Sequence, residues 1–431
     1  MLQTIKNAWK IQELRQKIIF TLLVLLLYRL GNAIPVPYIN VDLLAQQFKS
    51  LETTVLGLFN VMSGGAFSQA TIFALSIQPY INASIIMQLL TIAIPALERM
   101  QKEGGEEGKK KIATITRFAT VAIGLLQGLA YYLLIKNYGL LSQDGIWVGI
   151  VIVMPFAAGS ALLMWLGEQI TEFGIGNGIS MILFASIISR FPSSVIQMFK
   201  NLAAGSLPWY AMLLMLLGAL AIVVLIVIVT NAERRIPVQY SKRVVGRKMY
   251  GGQSTHLPMK VNMSGVLPVI FAQSITSLLP TIMMMFGKTK ESGGVAGAIL
   301  SAYNTDTVLY AVVYLALIVF FSYFYSTIQF NPVEVANNLK KNGGFVPGIR
   351  PGKPTSDFIT KVLSKITLFG AVYLAIIAVA PMIISIFSET ARNSGISMGG
   401  TSVIIVVGVA LETVKALESQ MLMRHYKGFL E

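Results

Sequence analysis

The sequence predicts an all-α polytopic membrane protein. Ten transmembrane helices form two inverted, pseudo-symmetric halves of five, with the N and C termini cytoplasmic. Three observations carry this reading. The 431-residue chain is 55% hydrophobic and only 12% charged, well below the roughly 25% charge of soluble domains. Its apolar runs are long enough to cross a bilayer, which takes about 20 residues each. Most of its 34 Lys and Arg fall on one side of the resulting topology, and basic loops stay in the cytoplasm. Backbone polar groups in hydrocarbon need internal partners, so spans of this length are helices.

The apolar runs lie near 18–36, 72–96, 113–135, 147–167, 178–196, 210–231, 264–286, 307–328, 366–387 and 402–420. The tail 1–17 carries Lys6, Lys10, Arg15 and Lys17. No small-residue cleavage site precedes Pro35 and Pro37, so the first run reads as a retained span and not a signal peptide. Spans 1–5 make a first half, 18–198, and spans 6–10 a second, 199–420, followed by a tail, 421–431. The loop after span 2 carries Arg99, Lys102, Lys109, Lys110, Lys111 and Arg117. Two longer inner loops, about 232–263 and 329–365, carry Arg234, Arg235, Arg247, Lys248, Lys340, Lys341 and Arg350 among others. The stretch from Asn137 to Ser189 holds no Lys or Arg and is oriented by its neighbours alone.

Span 2 reads TIFALSIQPYINASIIMQLLTIAIPA, with Gln78, Asn82, Ser84, Gln88 and Thr91 in it and Pro79 at its middle. Gln78 and Asn82 share a helix face, and so do Ile77, Ile81 and Ile85. An amide facing lipid is costly, so the polar face meets protein or water. Span 7 has Gln273 and Ser277 four apart and Pro268 near its start. Each is the second span of its half. The fifth spans also correspond, opening with Gly176-Asn177-Gly178 and Gly399-Gly400. Two halves of five run in opposite directions, the inverted-repeat pattern of many transport proteins. Small and polar residues also serve plain helix packing. Between spans 1 and 2, the apolar stretch VLGLFNVMSGGAFSQA is too short to cross. It is a surface-lying helix or a re-entrant piece buried in protein.

Several chemistries are missing. There is no Cys, hence no disulfide or thiolate. Span interiors hold almost no ionisable residues; Arg29, Glu412 and Lys415 sit near span ends and read as snorkelling groups. His256 and His425 fall outside the spans, and no metal-ligand cluster exists. The run Gly104–Lys110 lacks phosphate-loop spacing and reads as a mobile charged turn. The chain is therefore not expected to be an enzyme or to hold a cofactor. The net charge of +15 points to anionic partners, either lipid headgroups or ribosomal RNA, beyond the positive-inside bias itself. A channel for polypeptides and a secondary transporter of a small solute both fit. The long basic loops favour the first and the inverted repeat favours the second.

The stretches IFALSIQPYINASIIMQLL, MWLGEQITEFGIGNGIS, RRIPVQYSKR, QSTHLPMKVNMSGVLP, FNPVEVANNLKKNGGFVPGIRPG and GGTSVIIVV resemble the SecY family, central subunits of the bacterial protein-conducting channel. The likeness runs in order from about 18 to 425. It implies passage of unfolded secretory proteins across the plasma membrane and lateral release of membrane segments between spans 2 and 7. It implies a pore ring of Ile77, Ile81, Ile179, Leu183, Ile270 and Ile405. Leu183 departs from the family's isoleucine, a swap that conserves volume. It implies a plug at about 56–67 that includes Phe59, Asn60, Met62, Gly64, Gly65 and Phe67. The lateral gate would carry Gln78, Asn82, Gln88, Gln273 and Ser277. The implied docking site for the ribosome or the SecA motor is Arg247, Lys248, Lys340, Lys341 and Arg350. The implied partners are SecE, SecG, SecA, the ribosome, a preprotein with its signal sequence and anionic phospholipids.

Overall fold

The computed structural model describes residues 2–51, 55–205, 208–240, 243–245, 248–250, 254–285, 297, 303, 307–387 and 399–427. A helix stands at the place of each apolar run, and the span numbers are kept for them. Span 1 is Gln12–Gly31, span 2 Gln78–Ala93, span 3 Gly105–Asn137, span 4 Ile146–Phe173 and span 5 Gly178–Ala203. Span 6 is Trp209–Asn231, span 7 Leu267–Met285, span 8 Val308–Gln329, span 9 Lys353–Phe387 and span 10 Gly399–Lys427. Among the described residues, seven helices are long and apolar enough to cross a membrane whole, and span 2 joined to Pro95–Lys102 makes an eighth. Span 1 carries Arg15, Lys17 and Arg29, and span 7 is the shorter apolar helix. Span 6 is apolar all round with only Ile226 and Val229 buried, the surface expected of a helix facing lipid.

Several boundaries differ from the sequence reading. Span 1 stops at Gly31 instead of 36, because Pro35 and Pro37 follow and the chain turns at Asn32 and Ala33. Span 2 begins at Gln78 instead of 72, so Pro79 stands in its first turn and not at its middle. A proline there loses no helical hydrogen bond. Residues 72–77 are turns held by protein: Ile72 N donates to Ile34 O at 3.0 Å and Val36 N to Ala70 O at 2.9 Å. At 16 residues span 2 is about 24 Å long. It breaks at Ile94, extended before Pro95, and the chain bends 100° into Pro95–Lys102. A residue before proline avoids the helical region. The charged run at 104–110 is also not a turn throughout. Span 3 starts at Gly105, with Glu106 and Glu107 in its first turn, where acidic groups complement the helix dipole.

The two halves pack alike. Span 2 lies on span 3, span 3 on span 4 and span 4 on span 5; span 7 lies on span 8, span 8 on span 9 and span 9 on span 10. The halves meet where span 7 touches spans 2 and 3, and again where span 5 touches spans 10 and 6.

The inner loops add a small sheet to the helical fold. Strand β1, Glu233–Tyr240, pairs antiparallel with β4, Ser254–Lys260, and with β5, Gly344–Phe345. The short hairpin of β2, Arg243–Val245, and β3, Lys248–Tyr250, lies between β1 and β4 in the chain. Ile236 and Val238 alternate inward along β1, the period of a half-buried strand. Ile236 and Met259 pack with Val346, Ile359 and Leu363. The loops after spans 6 and 8 thus share one sheet and one small core.

Candidate functional site

Four spans contribute aliphatic side chains to one buried core. Ile77 and Ile81 from the start of span 2, Leu183 from span 5, Ile270 from span 7 and Ile405 from span 10 are all at most 4% exposed. They belong to one apolar cluster, and Ile179 of span 5 packs against it. Local geometry places them. Asn177 caps span 5 by accepting from Ser180 N at 3.2 Å, and Gly178 N donates to Thr171 Oγ1 at 2.9 Å. Span 5 therefore starts tight against the end of span 4, with Ile179 in its first turn. Span 7 enters through Pro268 in its first turn, and Ile270 follows.

The short outer helix is Val55–Met62, ending earlier than the 56–67 stretch, whose remainder is turns. It is buried in protein, not surface-lying. Leu58 and Met62 join the same cluster as Ile77, Ile81, Leu183, Ile270 and Ile405, and Phe59 is half-buried beside it. Asn60 accepts from Ser68 N through Oδ1 at 3.0 Å, and its carbonyl accepts from Gly65 N at 2.9 Å. Gly64 and Gly65 both have positive φ, +67° and +93°, a region glycine enters without strain. Phe67 turns to a different neighbourhood. It stacks on Tyr131 of span 3 with centroids 4.3 Å apart, meets Phe48 edge-on at 5.2 Å, and its carbonyl accepts from Tyr131 Oη.

Beside the cluster, spans 2 and 7 meet along a polar seam. Gln78 Nε2 donates to Ser274 Oγ across it at 3.4 Å. Gln78 Oε1, Gln273 Oε1, Gln88 Oε1 and both side-chain polar atoms of Asn82 are buried without a protein partner. Each such atom carries a desolvation cost of about 1–3 kcal/mol, kept at a contact between the two halves. Ser277 does not reach across: its hydroxyl donates to Ser274 O of its own helix at 2.7 Å. Gln88 bonds Ser84 of its own span at 3.4 Å. At the outer end of the seam a cavity of about 30 Å³ is lined by Phe59, Phe67, Gln127, Tyr131 and Thr281, among others, room for about one water molecule.

The basic residues lie apart from this centre. Lys340 and Lys341 end the helix Pro332–Lys341, and Arg350 follows β5; all three are exposed. Lys248 lies on β3, and Arg247 lies outside the described residues. Sequence reasoning missed Tyr28, Asn32, Gln127, Tyr131 and Ser274. Gln127 was legible as an amide in an apolar run. A tyrosine near a span end reads as an interface anchor, so Tyr28 carried no signal of its own.

Comparisons with known proteins bear on the family and the fold. A sequence model of the SecY family matches residues 71–414. The protein translocase subunit SecY of Streptomyces scabiei is 44% identical over the full length of both chains, and that of Halalkalibacterium halodurans is 43% identical, again over both full lengths. Among solved structures, a protein-conducting channel superposes with a TM-score of 0.65 at 17% identity, covering 94% of this chain and 92% of that one. A SecY structure concerned with the plug domain and the closed state superposes at 0.66 with 18% identity and the same coverage. Sec61 in the canine ribosome–channel complex superposes at 0.61, with 16% identity, 94% of this chain and 92% of that one. At these identities the structural likenesses speak for the fold alone.

Proposed function

The chain belongs to the SecY family, and from that premise we propose that its aliphatic cluster is the constriction through which unfolded secretory chains pass. The protein is a translocase channel subunit, a passive multi-pass pore of the cell membrane and not an enzyme. The observation that carries the proposal is the convergence of Ile77, Ile81, Leu183, Ile270 and Ile405 from four spans into one cluster. A pore for many different polypeptides has no use for a specific binding site. Flexible aliphatic side chains close around any chain, and a narrow apolar ring stays dewetted when empty.

In this reading the segment about 56–67 is the plug. The seam of Gln78, Asn82 and Gln273, with Gln88 and Ser277 along the same two helices, is a gate opening to lipid. Its unsatisfied amides keep the closed contact weak enough to part when a signal sequence enters. The halves 18–198 and 199–420 move as the two sides of that gate, and both termini face the cytoplasm. SecE and SecG are its companions in the complex. The shared sheet and the exposed Lys340, Lys341 and Arg350 form the docking face for SecA or the ribosome, to which the sequence adds Arg247 and Lys248. A solved relative is itself a ribosome–channel complex. Anionic phospholipids meet the remaining basic groups.

Reconstitution tests the proposal. Vesicles holding this chain with SecE, SecG, SecA and ATP should import a preprotein into a protease-protected space. No import, together with saturable ion-coupled uptake of a small solute, would replace the channel with the transporter reading.

A further inference from the structure

The short outer helix ends at Met62; the carbonyls of Phe59, Asn60 and Val61 in its last turn accept from the backbone of the turn that follows, and Met62 O from Ser76 Oγ. The side chain of Ser63 works locally: its Oγ accepts from Phe67 N at 3.0 Å and donates to Asn60 O at 3.2 Å. Its carbonyl accepts one long local bond, from Ala66 N at 3.4 Å, and two bonds from side chains outside the turn. The Tyr28 hydroxyl of span 1 donates to Ser63 O at 3.2 Å, and Asn32 Nδ2 donates to the same oxygen at 3.4 Å. Tyr28 Oη also lies 2.6 Å from Ser186 Oγ of span 5. A phenol has one proton. Ser186 also has one, and its Oγ lies 2.8 Å from Ile182 O of its own helix. In the latched arrangement Tyr28 donates to Ser63 and Ser186 turns its proton from Ile182 to Tyr28, so that one hydrogen-bonded chain runs from span 5 through span 1 to the turn after the helix; in the released arrangement Ser186 donates to Ile182 and Tyr28 to Ser186.

The arrangement is rigid. Tyr28 is 0% exposed and stacks on Phe73 with centroids 5.9 Å apart. Gly64 brings the turn close to span 5: a Cβ there would sit 3.0 Å from Ser186 O. Ser186, Ser63 and Asn32 are buried as well. None of these groups lies on the seam between spans 2 and 7, so gate residues are not needed to hold the helix in place.

We infer that Tyr28 is a positioning residue that latches the outer helix over the constriction by hydrogen-bonding the Ser63 carbonyl, with Ser186 orienting its hydroxyl. The inference rests on reading 56–67 as the plug. One net hydrogen bond shifts a two-state equilibrium by a small factor. Such a latch is firm enough to bias the resting pore shut and weak enough for an arriving chain to release.

The chain has no Cys, so Met62→Cys makes a single reporter on a side chain that is 4% exposed. The complete complex in vesicles is treated from the outer side with a membrane-impermeant maleimide, and resting conductance is recorded in parallel. Tyr28→Phe removes only the hydroxyl and should speed labelling about five- to tenfold, with a matching rise in conductance. Ser186→Ala should give a smaller increase. Tyr314→Phe also deletes a buried hydroxyl, one that donates to Val269 O at 3.4 Å, away from the outer helix; it should change nothing. Equal effects of Tyr28→Phe and Tyr314→Phe would mean general loosening and overturn the latch. Unchanged labelling in Tyr28→Phe, with increased conductance on deleting 56–67, would overturn the latch and leave the plug. Unchanged conductance on that deletion would overturn the plug reading and the latch with it.

Discussion

The first residue of span 5, Gly178, lies so close to span 4 that a Cβ on it would stand 1.9 Å from the carbonyl oxygen of Gly167. Span 10 repeats the relationship against span 9, where a Cβ on Gly400 would stand 2.4 Å from Ile377 O. In each half, then, the fifth helix starts against the backbone of the fourth. Both contacts lie near ring residues, Ile179 in one case and Ile405 in the other. Gly178→Ala and Gly400→Ala should each destabilise the protein by about 1–3 kcal/mol, the range for overpacking. Thermal unfolding of the purified complex measures this. Unchanged melting temperatures would mean that the helix starts can move apart without cost.

The ring itself predicts a second result. Ile81 and Ile270 are buried in the shared cluster, and replacing both with glycine opens space where apolar groups exclude water and ions. Resting conductance in planar bilayers should rise. Leu183→Ile conserves volume and should cost less than about 1.5 kcal/mol without raising the leak. A leak from Leu183→Ile equal to that of the double glycine variant would contradict the assignment.

How far the chain announced this centre depends on the residue. The buried face of span 2 was legible as the stripe Ile77, Ile81 and Ile85, and the amides Gln78 and Asn82 as groups unsuited to lipid, and all five are buried. The start of span 2 was not legible. Residues 72–77 are as apolar as the helix that follows, and hydropathy does not tell a helix from turns whose backbone is satisfied by Ile34 and neighbouring protein. The strand β1 left a trace in the alternation of Ile236 and Val238, but its partner β5 comes from a different loop, after span 8. No local pattern records a long-range pairing. Tyr28 was opaque for a related reason, because its partners Ser63 and Ser186 are distant in sequence.

The polar seam predicts a change of the opposite sign. Asn82 has no protein partner for either side-chain polar atom. Asn82→Leu removes that unsatisfied pair and should favour the closed contact of spans 2 and 7 by about 1–3 kcal/mol. Export of preproteins with weakly hydrophobic signal sequences should fall, while strongly hydrophobic signals still pass. Better export of the weak signals would place Asn82 on the stabilising side of the seam.

The proposed docking face is separable from all of this. Arg350 is exposed, and its carbonyl, not its guanidinium, supports the following helix by accepting from Thr355 Oγ1 at 2.8 Å. Arg350→Glu should leave the fold and the resting seal intact and block SecA-driven export. Ribosome binding to the same face should weaken as salt rises. Normal preprotein transport by the variant would remove Arg350 from the docking site. By contrast, the ion pair of Arg117 and Glu168, 2.9 Å apart between spans 3 and 4, is 52% and 26% exposed. Glu168→Gln should cost at most about 1 kcal/mol.

The central claim is that translocating chains pass through the aliphatic cluster, and photo-crosslinking from Ile81 tests it most directly. A photoreactive residue replaces Ile81, and a secretory chain is stalled midway through membrane vesicles containing the complex. The account predicts a crosslink between position 81 and the stalled chain. A crosslink only to other parts of this protein, with the stalled chain captured elsewhere, would contradict it.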